Sequence, residues 1–246
     1  DSATARTLAN ALTLSGALAL GDSTNTGALV FSGAAALSAS TTLTVASGVT
    51  MSGVVSGAND LTKAGSAELT LSGVNTFSGA TVVEDGTLTL SGGNALANSM
   101  AVTVTASGTL KLASNEEIAS LSGAGAVNVQ ANALTLSGSS DSVYSGVMSG
   151  TGGSLVKSGS GALTLTGANT FSGGSTVSAG VVLVGNDAAF GTGTVVFSGG
   201  KIASESATAR TVANALGLSG TLAVGDGTNT GALTLSGAAA LSAATT

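Results

Sequence analysis

One stretch of about 30 residues occurs twice in this chain, and that repetition constrains the fold more than any other feature. Residues 61–92 and 155–185 align at an offset of 94 positions. The alignment places Lys63 on Lys157 and carries the run Asn-Thr-Phe-Ser-Gly from one copy to the other. A unit this thin cannot bury its apolar face alone, so copies must stack on one another, as they do in solenoid proteins.

Both copies of this stretch lie inside a second, longer repeat. Residues 2–42 return as residues 206–246, at an offset of 204, and eight of the 41 aligned positions differ. We interpret residues 2–205 as one complete β-helical super-repeat, with core motifs at 61–92 and 155–185, and residues 206–246 as the start of the next. We therefore expect the chain to be a fragment of a longer array.

Short apolar runs that alternate with small polar residues predict β-strands along the whole chain. In the run at 162–166, Leu163 and Leu165 share one face, and Leu69 and Leu71 hold the matching positions of the earlier copy. We expect all four leucines to point into the interior. The strands recur about every eight to twelve residues, a spacing that fits both an antiparallel sandwich and a parallel coil.

The tandem copies favour the coil, because a coil can be extended by repetition and a closed sandwich cannot. The sequence thus predicts an all-β fold, a right-handed parallel β-helix (β-solenoid) with about 20–25 residues per coil and strands of about three to five residues that end at Ser-Gly turns. One super-repeat would form roughly eight to ten coils, each advancing about 4.8 Å. The 38 glycines and the charged content of only 7% suit a narrow coil with small side chains at its corners.

Further motif positions are predicted to be structural. Asn75 and Asn169 could form a ladder of amides along the axis or occupy turns, and the sequence does not separate these two roles. We expect the motif phenylalanines to fill the core at a wider corner and the glycine that closes the motif to shape a turn. These residues are Phe77, Phe171, Gly79 and Gly173.

Residues 113–121 form the one stretch with a helical tendency. Ser114 could cap a first turn that contains Glu116 and Glu117, but the length allows at most about two turns. We expect a loop or short turn here, with a brief helix as the alternative. The adjacent acidic pairs, Glu84-Asp85 and Glu116-Glu117, are expected in solvated turns and not in a catalytic dyad, because neighbours on a strand point to opposite faces.

Composition excludes several classes of site. The chain has no histidine and no cysteine, so it can assemble neither a Ser-His-Asp nor a Cys-His nucleophile, and no histidine-based metal site. A net charge of −6 argues against nucleic acid as a partner. No apolar run is long enough to cross a membrane, so we expect no membrane insertion by this segment. We predict no catalytic residue, no cofactor-binding residue and no cofactor.

Asp22 and Asp226 are the only weak candidates for metal ligands, and they hold the same loop position in the two copies. The loop lacks the alternating acidic positions of an EF-hand and the nine-residue period of calcium β-rolls. An Asx turn is the better interpretation, so we expect no bound metal.

The core motif, LxKxGxGxLTLxGxNTFSGxxxVxxGxLxLG, resembles the passenger-associated transport repeat of autotransporters, which are surface and secreted proteins of Gram-negative bacteria. The run from Arg6 to Leu12, followed by Leu14-Ser15-Gly16, is similar to sequence that flanks such repeats. The resemblance implies an autotransporter passenger domain that is exported by type V secretion and lies on the cell surface or outside the cell. It also implies that stepwise folding of coils outside the cell helps to draw the chain out.

Three functions from different classes fit such a chain. The first is an elongated rod that serves as an adhesin stalk, the second is a subunit or repeat of an extracellular filament or matrix fibre, and the third is a carbohydrate-active β-helix enzyme. The copied super-repeat favours the first two, since a catalytic site has no reason to recur whole along a rod. The expected partners are neighbouring copies of the repeat in the chain, with other copies of the protein and host or cell-surface ligands as further candidates.

Overall fold

The structure is a computed structural model that describes residues 4–24 and 27–242. Within these residues the chain forms 27 β-strands and no helix, and hence no helix that could cross a membrane. In chain order the strands are β1 Arg6–Leu8, β2 Leu12–Leu20, β3 Leu29–Phe31, β4 Ala35–Val45, β5 Val49–Met51, β6 Val55–Ser56, β7 Leu61–Ala64, β8 Glu68–Leu71, β9 Thr81–Leu90, β10 Ala101–Leu112, β11 Glu116–Ile118, β12 Ser120–Gly123, β13 Ala126–Asn128, β14 Ala133–Leu136, β15 Ser142–Tyr144, β16 Met148–Ser149, β17 Ser154–Lys157, β18 Ala162–Leu165, β19 Ser175–Val177, β20 Val181–Val184, β21 Val195–Phe197, β22 Lys201–Ser204, β23 Arg210–Val212, β24 Leu216–Leu218, β25 Ala223–Val224, β26 Leu233–Leu235 and β27 Ala239–Leu241.

Successive coils are joined by parallel strand pairing. Ten consecutive pairings lead from β2 to β25 by way of β4, β7, β9, β10, β12, β15, β18, β20 and β22. Leu20 in β2 and Val224 in β25 hold equivalent positions 204 residues apart, so those ten steps take about 20 residues each. At about 4.8 Å per coil they advance about 48 Å. The whole is a parallel β-solenoid of about 12 turns, which confirms the predicted fold class.

The core is a column of Leu, Val, Ile, Met and Phe side chains enclosed by the coils. In β18, Leu163 and Leu165 point inward and are buried, and the same alternation recurs in β8 with Leu69 and Leu71. The second face of the coil is a sheet of seven strands, in the order β11, β14, β17, β19, β21, β24 and β27.

Four strands are longer than the sequence predicted. β2, β4, β9 and β10 span 9, 11, 10 and 12 residues. At the predicted length of about three to five residues, the runs at 101–104 and 108–112 would each form one strand. Strand β10 instead spans both, and its register against β9 shifts between Val104 and Ser107. Such an irregularity bends the strand, so the chain rounds a corner of the coil without a loop.

Residues 113–121 also differ from the prediction. Instead of a loop or a brief helix, they contain β11 and the start of β12, and β11 pairs with β14 through Glu116↔Leu134 and Ile118↔Leu136. The prediction is wrong because Glu116 and Ile118 alternate with an outward Glu117, which is a strand pattern with one acidic residue on its inward face.

Candidate functional site in the coil interior

The apolar motif residues line the interior of the coil. Each is at most 1% exposed, and together they are Leu69, Leu71, Leu163, Leu165, Phe77 and Phe171. Phe77 and Phe171 follow the motif asparagine by two residues and are fully enclosed. A ring enclosed in this way fills the core and offers no face on which a ligand could stack.

The side-chain amide of Asn75 connects three consecutive coils. Its Oδ1 accepts the backbone N–H of Val55 in the preceding coil at 2.7 Å, and its Nδ2 donates to the carbonyl of Ala95 in the following coil at 2.6 Å. Asn75 lies outside the regular strands, where backbone groups lack ladder partners. The buried amide supplies those partners.

Asn169 makes the same connections in the second motif. Its Oδ1 accepts the N–H of Met148 at 2.7 Å, and its Nδ2 donates to the carbonyl of Ala189 at 2.6 Å. The sequence left open a ladder of stacked amides or a turn. In the structure each amide binds backbone groups of the coils on either side, and Asn75 and Asn169 are 94 residues apart, so their amides do not stack on each other.

The glycine that closes the motif lies where adjacent coils approach closely. A Cβ atom at Gly79 would lie 2.3 Å from the carbonyl carbon of Asn59, and one at Gly173 would lie 2.3 Å from the carbonyl oxygen of Gly152. These distances are far below van der Waals contact. Any larger residue would push one coil away from the coil before it.

Two lysines that sequence reasoning did not single out, Lys63 and Lys157, are also inside the coil. The ammonium of Lys63 donates to three carbonyl oxygens, those of Ala64 at 3.1 Å, Gly65 at 2.7 Å and Asp85 at 2.9 Å. An ammonium has three hydrogens to donate, and all three find acceptors. Burial lowers the pKa of Lys63, while the charge of Asp85 opposes that shift.

Lys157 repeats this arrangement in the second motif. Its Nζ donates to the carbonyl of Gly159, burial lowers its pKa, and the charge of Asp141 opposes the shift. Gly180 adjoins the ammonium: its φ is +70°, and a Cβ there would lie 2.7 Å from Nζ. A Cβ there would also lie 2.5 Å from the carbonyl oxygen of Gly159, so the positive φ and the close backbone reserve this position for glycine.

Glu116 is buried, so the expectation of a solvated turn is wrong for this residue. Its carboxylate accepts the N–H groups of Leu96 at 2.7 Å and Ala95 at 3.3 Å, both in the preceding coil. Burial raises the pKa of Glu116, and the two N–H donors oppose that rise. Glu116 thus binds the backbone of its neighbour coil much as the two asparagine amides do.

These interior groups share one geometry: their polar atoms bind backbone groups of their own or adjacent coils. A general acid, base or nucleophile needs a polar atom within hydrogen-bond reach of a substrate. Groups bound in this way inside the column stabilise the stack of coils and are poorly placed for chemistry.

The two aspartates considered as metal ligands lie in tight loops. Asp226 Oδ1 accepts the N–H groups of Thr228 at 3.0 Å and Asn229 at 2.7 Å, and its Oδ2 accepts the Asn229 amide at 2.6 Å. These bonds lower the pKa of Asp226 to about 2, and the bond from the backbone N–H of Asn229 contributes most. Asp22 accepts the N–H of Thr24 at 2.6 Å. The geometry is that of Asx turns, and the described residues contain no cluster of three or more potential metal ligands.

Comparison with known families identifies the two core motifs as copies of one repeat. A family model described as the passenger-associated-transport-repeat matches residues 61–90 and 155–184, which confirms the resemblance seen in the sequence. The matched ranges include the interior lysine, asparagine and phenylalanine of each copy. No curated protein and no solved structure matches the chain.

Proposed function

We propose that this chain, which carries two passenger-associated-transport-repeats in a parallel β-solenoid, is a rod segment of an autotransporter-like passenger on the surface of a Gram-negative bacterium. In this role it is the stalk of an adhesin and holds a distal binding module away from the cell. The observation that carries the proposal is the unbroken series of ten parallel pairings from one super-repeat into the next.

The interior contacts support a mechanical role. Asn75 and Asn169 each connect three coils, and Glu116 binds the backbone of the coil before it. Such contacts resist separation of one coil from the next. They also fit stepwise folding during export, because each bond joins a coil only to itself or to a directly adjacent coil, so the stack can grow one coil at a time.

An enzymatic role receives less support from the same contacts. In a β-helix enzyme, acidic and basic side chains would converge on an accessible groove. Here the motif lysines and Glu116 are turned inward and bound to backbone groups. We therefore propose a structural function without enzyme activity.

The proposal is tested by the height of the rod above a cell. Chains with one, two and three super-repeats, anchored at the C-terminal end on a Gram-negative surface, carry a gold label at the other end. Electron tomography should show the label rising by about 48 Å for each added unit. A flexible Gly/Ser linker of equal length is the control, and it should give a broad distribution of heights. A label height that does not change with the number of units would contradict the stalk function.

A further inference from the structure

One outer face in the middle of the solenoid carries apolar side chains between two opposite charges. Four consecutive coils form this face through strands β15, β18, β20 and β22, which pair in that order. The register places outward residues in columns along the rod, and one column contains Ala162, Val181 and Lys201. Asp141 adjoins Ala162 at the other end of the column, where its carboxylate accepts the N–H of Ala162 at 2.7 Å. The two charges therefore lie three coils, or about 14 Å, apart.

The neighbouring column forms a recess in this face. It contains Val143, Thr164 and Leu183 in register. Val143 is exposed and Leu183 is partly exposed, whereas Thr164 between them is buried. The short side chains of β18, Ala162 and Thr164, lie in a recess of about 370 Å³ that Val143 and Leu183 border. The adjacent strand, β20, carries the larger side chains Val181 and Leu183.

A recess beside a ridge of larger side chains is self-complementary under one two-fold rotation. The axis of this rotation runs along the strand direction between β18 and β20, so the two rods lie antiparallel. Leu183 of each molecule then faces Thr164 of the other, and Val181 faces Ala162. Large side chains thus meet small ones, as they do in interdigitated layers of a core. The strands of the two molecules remain aligned, as in sheets that pack face to face about 10 Å apart.

The same rotation brings unlike charges together. Asp141 of each molecule faces Lys201 of the other, and the contact occurs twice because the interface is isologous. Within residues 4–24 and 27–242, the Lys201 ammonium has no hydrogen-bond or ion-pair partner. Glu205 follows β22 at the far edge of the face, and by the same register it meets Ser145 and not a second carboxylate. The charges on the face therefore favour this orientation of the two rods.

The alternative two-fold rotation fits the face less well. An axis along the rod would keep the two rods parallel and would place Val143 on Val143 and Leu183 on Leu183. Large side chains would then meet large ones, and the recess over Thr164 would stay unfilled. Unfilled space at a contact loses dispersion interactions, so the antiparallel arrangement is favoured.

We propose that two copies of this chain pair side by side and antiparallel through the outer face of β15, β18, β20 and β22. The partner is thus a second copy of the chain. Four coils extend only about 19 Å along the rod, which is small for a stable complex, where each partner typically buries about 800 Å². We therefore expect the pair to form at high protein concentration and to dissociate on dilution. The inference depends on the fold of these coils and not on the stalk function.

The test exchanges the two charges in the full chain. In sedimentation equilibrium from about 10 μM to about 1 mM, the weight-average mass of the wild-type chain should rise from that of the monomer towards twice that value. Asp141→Lys alone and Lys201→Asp alone should each weaken association at least about tenfold, because each variant places two pairs of like charges in the dimer. An equimolar mixture of the two variants should associate again, because each substituted residue then meets an unlike charge.

A second pair of variants tests the recess without changing charge. Leu183→Ser removes the side chain that fills the recess of the other molecule, so association should weaken. Val156→Ser is the matched control, because Val156 faces outward on the seven-stranded sheet, away from the proposed contact. Its association should equal that of the wild type. Circular dichroism of each variant shows whether the coils remain folded.

Three outcomes would overturn the proposal. They are a wild-type chain that stays monomeric at about 1 mM, a mixture of folded charge variants that stays dissociated, and equal effects of Leu183→Ser and Val156→Ser. If a charge variant fails to fold, the comparison of Leu183→Ser with Val156→Ser decides. Measurements of rod length are made on dilute chains, below the onset of pairing. The stalk proposal and the pairing proposal can therefore fail independently.

Discussion

The first and last coils within the described residues are made from nearly the same sequence but bury opposite sides. In the first copy Leu8 is 39% exposed and Leu37 only 2% exposed. In the second copy the equivalent residues, Val212 and Leu241, are 0% and 67% exposed. The internal strand register of the two copies is the same, so what differs is the neighbour: the first copy is covered by the coil that follows it, the second by the coil that precedes it.

This comparison separates two effects that are usually inseparable in a globular protein. Local sequence decides the register in which strands pair, since the pairs that both copies make are equivalent ones. Burial, and with it most of the stabilisation, comes from the adjacent coil. A residue should therefore matter in proportion to the coils that cover it, most in the middle of the stack and least at an open end.

The largest effect is expected in the middle of the stack, where coils lie on both sides. Leu163→Asp puts a carboxylate into the apolar column, where it is either unpaired or forced to take up a proton, so the free energy of unfolding should fall by several kcal/mol. Chemical denaturation measures the change. Val143→Asp on the adjacent strand is the control, because Val143 faces outward and its substitution should cost less than about 0.5 kcal/mol. An unchanged midpoint for Leu163→Asp would mean that the strand is in the opposite register.

The next prediction compares two leucines that hold equivalent positions in the two copies, Leu37 and Leu241. Leu37→Ala should lower the free energy of unfolding by about 2–5 kcal/mol, because it opens a cavity in the covered copy. Leu241→Ala should change it by less than about 0.5 kcal/mol, because that side chain is mostly in solvent. Denaturant midpoints measured for both variants under identical conditions provide the comparison. Equal losses would show that burial at the two ends does not depend on the neighbouring coil.

A smaller effect is expected on the side of each copy that would face a preceding coil, where Asn214 and Asn10 hold equivalent positions. Asn214→Ala removes two hydrogen bonds to the preceding coil, at residues 187–204, and should reduce local stability there by about 1–2 kcal/mol. Asn10→Ala should have almost no effect, because Asn10 is exposed. Amide hydrogen exchange in β24 and in β2 reports each site separately. Similar loss of protection in both strands would contradict the stabilising role of the coil at residues 187–204.

The smallest effect concerns a carboxylate inside the stack. Hydrogen bonds from Asn229 and Thr228 lower the pKa of Asp226, whereas burial raises that of Glu116 above its ordinary value of 4.5. The folded protein therefore keeps the Glu116 proton to higher pH than the unfolded chain does, so stability should fall as the pH rises from about 4.5 through the folded pKa. Glu116→Gln should remove that part of the slope when the free energy of unfolding is measured from about pH 4 to about pH 7. Parallel profiles for the two proteins would contradict the burial of Glu116.

Much of this architecture could be predicted because two signals agreed. Alternation identified the inward leucines, such as Leu163, and tandem repetition selected a coil over a sandwich. The exposed end could not be predicted in the same way, since Leu37 and Leu241 sit in the same local sequence. Their burial depends on a contact that the local pattern does not encode.

The interior polar residues were missed because charge was weighted above position in the strand. Lys63 follows Leu61 by two residues, and Glu116 precedes Ile118 by two, so both lie on inward faces by simple alternation. Charged residues are ordinarily exposed, which favoured a solvated turn for Glu116. What overrides that tendency is the supply of unpaired backbone groups inside the coil, which only the stacked structure reveals.

The central claim, that each coil contacts only its neighbours in one continuous stack, is tested most directly by small-angle scattering from chains of one, two and three super-repeats. The maximum dimension should grow by a constant step of about 48 Å for each added unit, with no change in cross-section. Two results would contradict the continuous stack and the extension it provides. One is an increase in maximum dimension that becomes smaller with each added unit, as in a compact globule, and the other is a broad distribution of dimensions from units joined by flexible tethers.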